Sequence, residues 1–462
     1  MIQERIFTPG LAQVAYLIAD EAAGVAAIID PRRDVDTYLD WAAAHRVRIV
    51  AALETHIHAD FVSGARELAA TGATVYTSRV GSVAYTDVPL DDGDEVAVGS
   101  LRLRALATPG HTPEHLAFLL FDPAAGSQPV ALYSGDALFV GEVGRPDLLG
   151  KAETQHLARQ LHHTVMVRLA TLDDTLVVYP GHTAGSACGG KIGDAPSTTI
   201  GQERMTNYAF KAQSEDEFVA MVLTGLSTPP TYYPVLKQMN KEGVPLLRDL
   251  PDGVPLTSTH VAGSVTGNGL VIDARTPDEF GAGHLPGTLF AGVGPNFSAW
   301  MGWLAPYDRD LILMLTDDGQ FADAQTELRR IGLDNVVGYL AGGIETWRAE
   351  GLELERLSQV SPCDLATQMA NEANDLTVLD VRSDDEWAAG HITGAVHRFA
   401  GDIVRGITPP VEKGQPVAVI CGSGYRSSVV ASLLHDQGYS KLINITGGMA
   451  AWEEAGLPQQ AD

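Results

Sequence analysis

A block of residues in the C-terminal half of this chain occurs twice, and that repetition restricts the fold more than any other feature. Asp273, Arg275, Glu279, Gly283-His284 and Gly287 recur as Asp380, Arg382, Glu386, Gly390-His391 and Gly394, an offset of 380 − 273 = 107. Farther along, Gly342-Gly343, Trp347 and Gly351 recur as Gly447-Gly448, Trp452 and Gly456, an offset of 447 − 342 = 105. Two copies of one module follow, each of about a hundred residues and large enough for its own core. A chain of 462 residues also exceeds one ordinary core. Asp249-Leu-Pro-Asp-Gly-Val-Pro255 reads as the linker, so the expected domains are 1–250, 254–356 and 357–462.

The first domain opens with apolar runs at 14–18 and 26–29, which read as strands, and a helical pattern at 36–44. The apolar run 48–53 then leads into Thr55-His-Ile-His-Ala-Asp-Phe61. His56, His58 and Asp60 at the end of a buried strand form a metal-site pattern. More candidate ligands follow turn signals: His111 in Thr108-Pro-Gly-His111, Asp136 in Ser134-Gly-Asp136, and His182 in Tyr179-Pro-Gly-His182. Any one of them alone is an ordinary capping or surface residue; the set is not. The acidic run Asp91-Asp-Gly-Asp94 lacks the spaced ligands of a calcium loop and reads as a turn.

This set resembles the metallo-β-lactamase superfamily, whose αββα sandwich carries metals at one edge. The family pattern H-x-H-x-D-H ends here on Phe61, an apolar ring that argues for one metal rather than two. Within the superfamily the resemblance is greatest to persulfide dioxygenases. It implies a single Fe(II) per chain on His56, His111 and Asp136, a two-histidine, one-carboxylate set that leaves open positions for a sulfur substrate and dioxygen. His58, Asp60 and His182 then become partners that orient ligands or substrate. Gly144-Arg-Pro-Asp147 resembles a family segment in which Arg145 would bind an anionic part of the substrate and Asp147 would brace it. Cys188, in a Gly-rich stretch six residues past His182, is a candidate for contacting persulfide, although a lone cysteine is most often a small buried hydrophobe.

The repeated modules resemble rhodanese sulfurtransferases, α/β domains with parallel sheets. Their Asp-x-Arg and Gly-His elements read as structural. In the second copy an apolar strand at 417–420 runs into Cys421-Gly-Ser-Gly-Tyr-Arg426, with a helix expected from Ser427. Backbone N–H groups of Gly422, Ser423, Gly424 and Tyr425, the helix start and Arg426 all favour an anion at Cys421, the expected nucleophile. The first copy departs here. Counting from equivalent glycines, 438 − 421 = 17 and 332 − 17 = 315, so Leu315 stands at the cysteine position, followed by Thr316-Asp-Asp-Gly-Gln320. That copy is expected to be a structural spacer without chemistry.

The resemblance implies an enzyme that oxidises a thiol persulfide to sulfite with O2 and relays sulfane sulfur through Cys421, with sulfite as acceptor and thiosulfate as product. The carrier thiol, glutathione or coenzyme A among others, stays open. So does a metal-dependent thioester hydrolase of the hydroxyacylglutathione type, in which the rhodanese modules serve binding or regulation. A net charge of −27, from 58 acidic and 31 basic residues, disfavours nucleic acid and anionic membranes as partners. With three scattered cysteines, no signal-like start and no apolar run long enough for a bilayer, a reducing cytoplasm is expected, and an assembly of identical chains.

Overall fold

The computed structural model describes residues 1–370 and 375–461 and divides into two units: Met1–Leu250 with Arg329–Gly332, and Pro251–Leu328 with Leu333–Asp462. The first unit contains two six-stranded sheets. One runs in sequence order from Ile2–Thr8 through Gln13–Asp20, Val25–Ile29, Arg48–Leu53 and Thr74–Ser78 to Val88–Leu90. The other is ordered Thr198–Thr199, Val177–Pro180, Ala131–Gly135, Leu116–Phe121, Leu101–Ala107, Glu95–Val98.

The period-two alternation of a strand decides which side chains enter which layer. Along Gln13–Asp20, Val14, Tyr16 and Ile18 enter the cluster between the sheets, while Ala15, Leu17 and Ala19 turn outward. The outward set meets Tyr38 and Ala42 of helix Asp36–His45 and Ala65 and Leu68 of helix Ala65–Ala69. Leu116–Phe121 does the same in the second sheet: Leu116, Phe118 and Leu120 face the inner core, while Ala117, Leu119 and Phe121 pack with Ala158 and Leu161 of helix Lys151–His163. Four layers, helix, sheet, sheet, helix, result. Each fully buried Leu, Ile or Phe contributes about 1.5–3 kcal/mol to holding them. The first strand, Ile2–Thr8, has no counterpart in the sequence analysis, because most of its side chains are only partly buried or exposed.

The second unit holds two five-stranded sheets, and every recorded pairing in them is parallel. The first is ordered Val254–Leu256, Val336–Leu340, Leu311–Met314, Leu270–Asp273, Leu289–Phe290, and the second Ser358–Val360, Leu442–Ile445, Val417–Ile420, Thr377–Asp380, Val396–His397. Asp273 pairs in register with Met314 and Asp380 with Ile420, so the next residues, Leu315 and Cys421, are equivalent. The repeated Asp-x-Arg pairs are buried forks: Arg275 grips Asp273 and the Gly283 carbonyl, and Arg382 grips Asp380 and the Gly390 carbonyl. Among the described residues no helix is long and apolar enough to cross a membrane.

Candidate active sites

Strands Arg48–Leu53, Leu101–Ala107, Ala131–Gly135 and Val177–Pro180 end in loops whose side chains converge in one buried cluster. His56, His111 and Asp136 each offer an atom within 4.8 Å of the others. His56 Nε2 lies 3.8 Å and His111 Nε2 3.5 Å from Asp136 Oδ2. Gly135, at φ 51°, permits this approach: a Cβ there would come within 2.7 Å of Thr55 and His115.

Neighbouring hydrogen bonds fix which ring nitrogen faces the centre. Thr55 Oγ1 donates to Asp30 Oδ2 at 2.8 Å, so toward His56 Nδ1, at 2.9 Å, it accepts. His111 Nδ1 donates to the Arg145 carbonyl at 3.0 Å. Both Nε2 atoms therefore carry lone pairs. Burial pushes both imidazoles down, His111 to about 4 and His56 well below the ordinary histidine range, so the pair is neutral. His56 Nε2 and Asp136 Oδ2 are buried without any hydrogen-bond partner. Lone pairs facing one another with no donor are costly unless a cation joins them, and this donor set fits one divalent metal ion.

The other histidines are committed elsewhere. His182 lies between Asp136 Oδ1 at 2.8 Å and Asp60 Oδ2 at 2.7 Å; burial opposes its charge, but the two carboxylates raise it to about 10. Burial likewise opposes the charge on Asp136, and the adjacent His182 cation still holds its carboxyl well below the carboxylate range. His58 Nε2 faces Asp30 Oδ1 at 3.1 Å and Glu54 Oε2 at 3.0 Å, and these carboxylates raise it well above the histidine range despite burial. Phe61, fully buried, packs against the His58 ring with centroids 4.3 Å apart and planes tilted by 35°. An imidazolium held by carboxylates has no lone pair to give. The groups Asp60, His182, Cys188 and Asp30, Glu54, His58 are thus hydrogen-bonded frames around the first cluster.

The second cluster surrounds Cys421, whose side chain is buried. Its Sγ accepts the Gly424 N–H at 3.1 Å and lies 3.4 Å from Ser427 Oγ. Ser428 gives its proton to the Gly424 carbonyl and accepts from Asn444 Nδ2; Asn444 Oδ1 then takes the Ser427 proton at 2.6 Å. One asparagine thereby braces both Ser427, beside Cys421, and Ser428, which holds the Gly424 carbonyl. The helix, Tyr425–Asp436, starts two residues earlier than expected, directly after Gly424 in the left-handed region at φ 96°, so Arg426 belongs to its first turn. Arg426 forms a two-pronged pair with Glu386 at 2.7 and 2.6 Å. Burial raises the Glu386 carboxyl, but this fork outweighs it and brings it to about 2. Tyr425 donates to the Gly292 carbonyl of the other module at 2.9 Å.

Comparison with known proteins assigns a family to each region of the chain. The metallo-beta-lactamase superfamily matches residues 8–182, and the rhodanese-like domain matches 260–350 and 362–455. Persulfide dioxygenase ETHE1 of Homo sapiens is 30% identical over 189 residues, 39% of this chain and 68% of that protein. The chain belongs to the metallo-beta-lactamase superfamily, fused to two rhodanese-like domains. A hydroxyacylglutathione hydrolase of Gloeobacter violaceus is 36% identical over 171 residues, 36% of this chain and 62% of that protein. A crystal structure of a metallo-beta-lactamase from Staphylococcus aureus covers 74% of this chain and 98% of its own, with TM-score 0.66 and 33% identity.

Within this superfamily member, Arg145 and Asp147 form the expected fork, Nε to Oδ1 at 2.6 Å and Nη2 to Oδ2 at 2.7 Å. Arg145 is nevertheless 2% exposed, and its remaining reach goes to the carbonyls of Ala187 and Ser227. Four of its five guanidinium N–H groups are engaged within the protein, and its own carbonyl holds His111. Cys188 lies buried beside Asp60 and His182, with Sγ 4.0 Å from the Tyr233 hydroxyl. Burial, with the Asp60 and Asp136 carboxylates, pushes its thiol well up, so it is a protonated neighbour of the site. Three participants escaped the sequence reading. Asp30 ends an apolar strand just as the candidate ligands do, and His115 follows His111 by four residues, so both left a trace. His115 is no ligand, because its Nε2 accepts the Asp136 N–H at 3.0 Å. Asn444, in a strand, left none.

Proposed function

We propose that this protein oxidises the terminal sulfur of a low-molecular-weight thiol persulfide to sulfite, and that its second rhodanese-like domain transfers sulfane sulfur through Cys421. The observation that carries the first half is the convergence of His56 Nε2, His111 Nε2 and Asp136 Oδ2, lone pairs inward, two of them without a partner. These residues would hold one Fe(II) ion per chain, which when bound supplies the redox chemistry with dioxygen. The chain's residues do the rest. Asp30 and Thr55 fix the His56 tautomer, the Arg145 carbonyl fixes that of His111, and the His182 imidazolium balances the Asp136 carboxylate. Persulfide, dioxygen and water give thiol, sulfite and two protons.

In the second half, Cys421 takes the outer sulfur of a persulfide and releases the carrier thiol. Sulfite then removes that sulfur as thiosulfate and restores the thiol. The Gly424 N–H at the sulfur and the nearby helix start favour the anions involved. Free cysteines at 188, 363 and 421 suit a reducing compartment such as the cytoplasm.

The hydroxyacylglutathione hydrolase relative favours a second reading, thioester hydrolysis. Phe61 and the engagement of His58 and His182 with carboxylates weigh against the paired-metal form of that chemistry. The test is metal analysis of protein made without added zinc, with oxygen uptake on a persulfide. One iron per chain and rapid uptake are expected, with uptake abolished in Asp136→Ala. Two tightly held zinc ions, or thioester hydrolysis outpacing persulfide oxidation, would overturn the reading.

A further inference from the structure

Arg145 makes four hydrogen bonds within the protein and keeps one Nη1 N–H, so a second cation near the metal cluster would strengthen recognition of an anionic substrate. Beside the metal cluster the first unit contains a cavity of about 690 Å³, within the usual range for small-molecule pockets. Ile57, the residue between His56 and His58, forms part of its wall, as does Glu114, whose Oε1 accepts the Ile57 N–H at 3.0 Å. Leu148, Leu149, Pro113 and Pro229 supply apolar lining. Its other carboxylate, Asp147, is spent on Arg145.

Lys237 reaches this cavity from helix Tyr233–Glu242, one turn beyond the buried Tyr233. Its Nζ is buried and has no hydrogen-bond partner, the only lysine ammonium among the described residues in that condition. Its helix lies beside the metal cluster, because Asn240, three residues on, donates its Nδ2 to the carbonyls of His58 at 2.8 Å and Phe61 at 2.7 Å. A buried cation without a hydrogen-bond partner is costly, and burial pushes this ammonium down although the charge of the Glu114 carboxylate opposes the shift. An anionic ligand group would supply what is missing.

We propose that this cavity binds the carrier part of the substrate, a small organic thiol bearing a carboxylate, and that Lys237 is the residue that pairs with that carboxylate. The assignment rests on the persulfide-oxidation reading and narrows it, because inorganic persulfide or an uncharged carrier would leave Lys237 unpaired. The apolar wall takes the carrier's hydrocarbon portion, and the Ile57 side leads the sulfur toward His56.

The test compares glutathione persulfide, which carries carboxylates, with mercaptoethanol persulfide, which carries none, in wild-type, Lys237→Met and Lys237→Arg proteins. In Lys237→Met the ratio of kcat/KM for glutathione persulfide to that for mercaptoethanol persulfide should fall at least about tenfold, chiefly through KM, with partial recovery in Lys237→Arg. Oxidation of mercaptoethanol persulfide reports that the variant is folded. An unchanged ratio overturns the assignment while oxidation itself stands. If the wild type oxidises neither compound, the oxidation reading fails, and titration calorimetry with glutathione decides separately: weakened binding in Lys237→Met supports the site, and equal binding overturns it.

Discussion

The two rhodanese-like modules share a frame and differ at the point where chemistry would occur. In the sheets Leu313 pairs with Tyr339 and Val419 with Asn444, so Tyr339 and Asn444 are equivalent, and on the following helix Phe321 corresponds to Ser427. The active-type copy puts Ser427 and Asn444 in a buried polar chain behind Cys421; the other copy packs Phe321 against Tyr339 with ring centroids 4.7 Å apart. Leu315 replaces Cys421 and Asp318 replaces Gly424. Asp317 accepts the Gly319 N–H and Asp318 the Gly342 N–H, so this chain fills its own would-be anion cradle with carboxylates. Meanwhile the Asp-x-Arg fork and the capping box on the next helix are present in both. The Asp-x-Arg fork, closed on a glycine carbonyl in each copy, holds the frame apart from the loop, and the loop can therefore lose its chemistry without loss of fold.

The largest expected effect separates the two halves of the protein. Cys421→Ser should eliminate thiosulfate formation while oxygen uptake and sulfite release continue, as read by product chromatography. Thiosulfate formation at the wild-type rate would move the relay away from this loop, with Cys188 the next residue to test.

A smaller effect is expected when the active-type copy is made to resemble its neighbour. Asn444→Leu removes the common anchor of Cys421 and Gly424, and sulfur transfer from thiosulfate to cyanide should fall about tenfold to a hundredfold. Leaving Ser427 and Ser428 buried without their partner should also cost about 1–3 kcal/mol in denaturant unfolding. Leu315→Cys in the Cys421→Ser background is the reciprocal change, and it should restore no transfer, since the carboxylates and the aromatic pair remain.

The smallest effect concerns Glu386, whose folded carboxyl titrates at about 2 against an ordinary 4.5. A depressed folded value means the stabilisation is fully present above the unfolded value and is lost as pH falls through the folded one. The stability of the wild type relative to Glu386→Gln should therefore be constant above about pH 5 and shrink between there and about pH 2. A difference that does not change over that interval would remove the Arg426 pair from the account.

Contiguous residues determined much of this protein. A strand needs only its alternation of apolar side chains, and a turn needs only its Gly, Pro or Asp, so the strand ends bearing His56, His111, Asp136 and His182 were readable in order, as were the repeat and the six-residue loop from Cys421 to Arg426. Tertiary structure decided what those groups face. Asp30 reaches Thr55 across 25 residues and Asp60 reaches His182 across 122, and these bonds set which imidazoles are neutral and which are charged. The same applies to Arg145, which looks available in sequence and is engaged by Asp147 and two carbonyls in the fold, and to Lys237 and Asn444, which carry no motif at all. Tautomers, charge states and unpaired groups depend on the sum of contacts from distant segments, and no short stretch of sequence contains that sum.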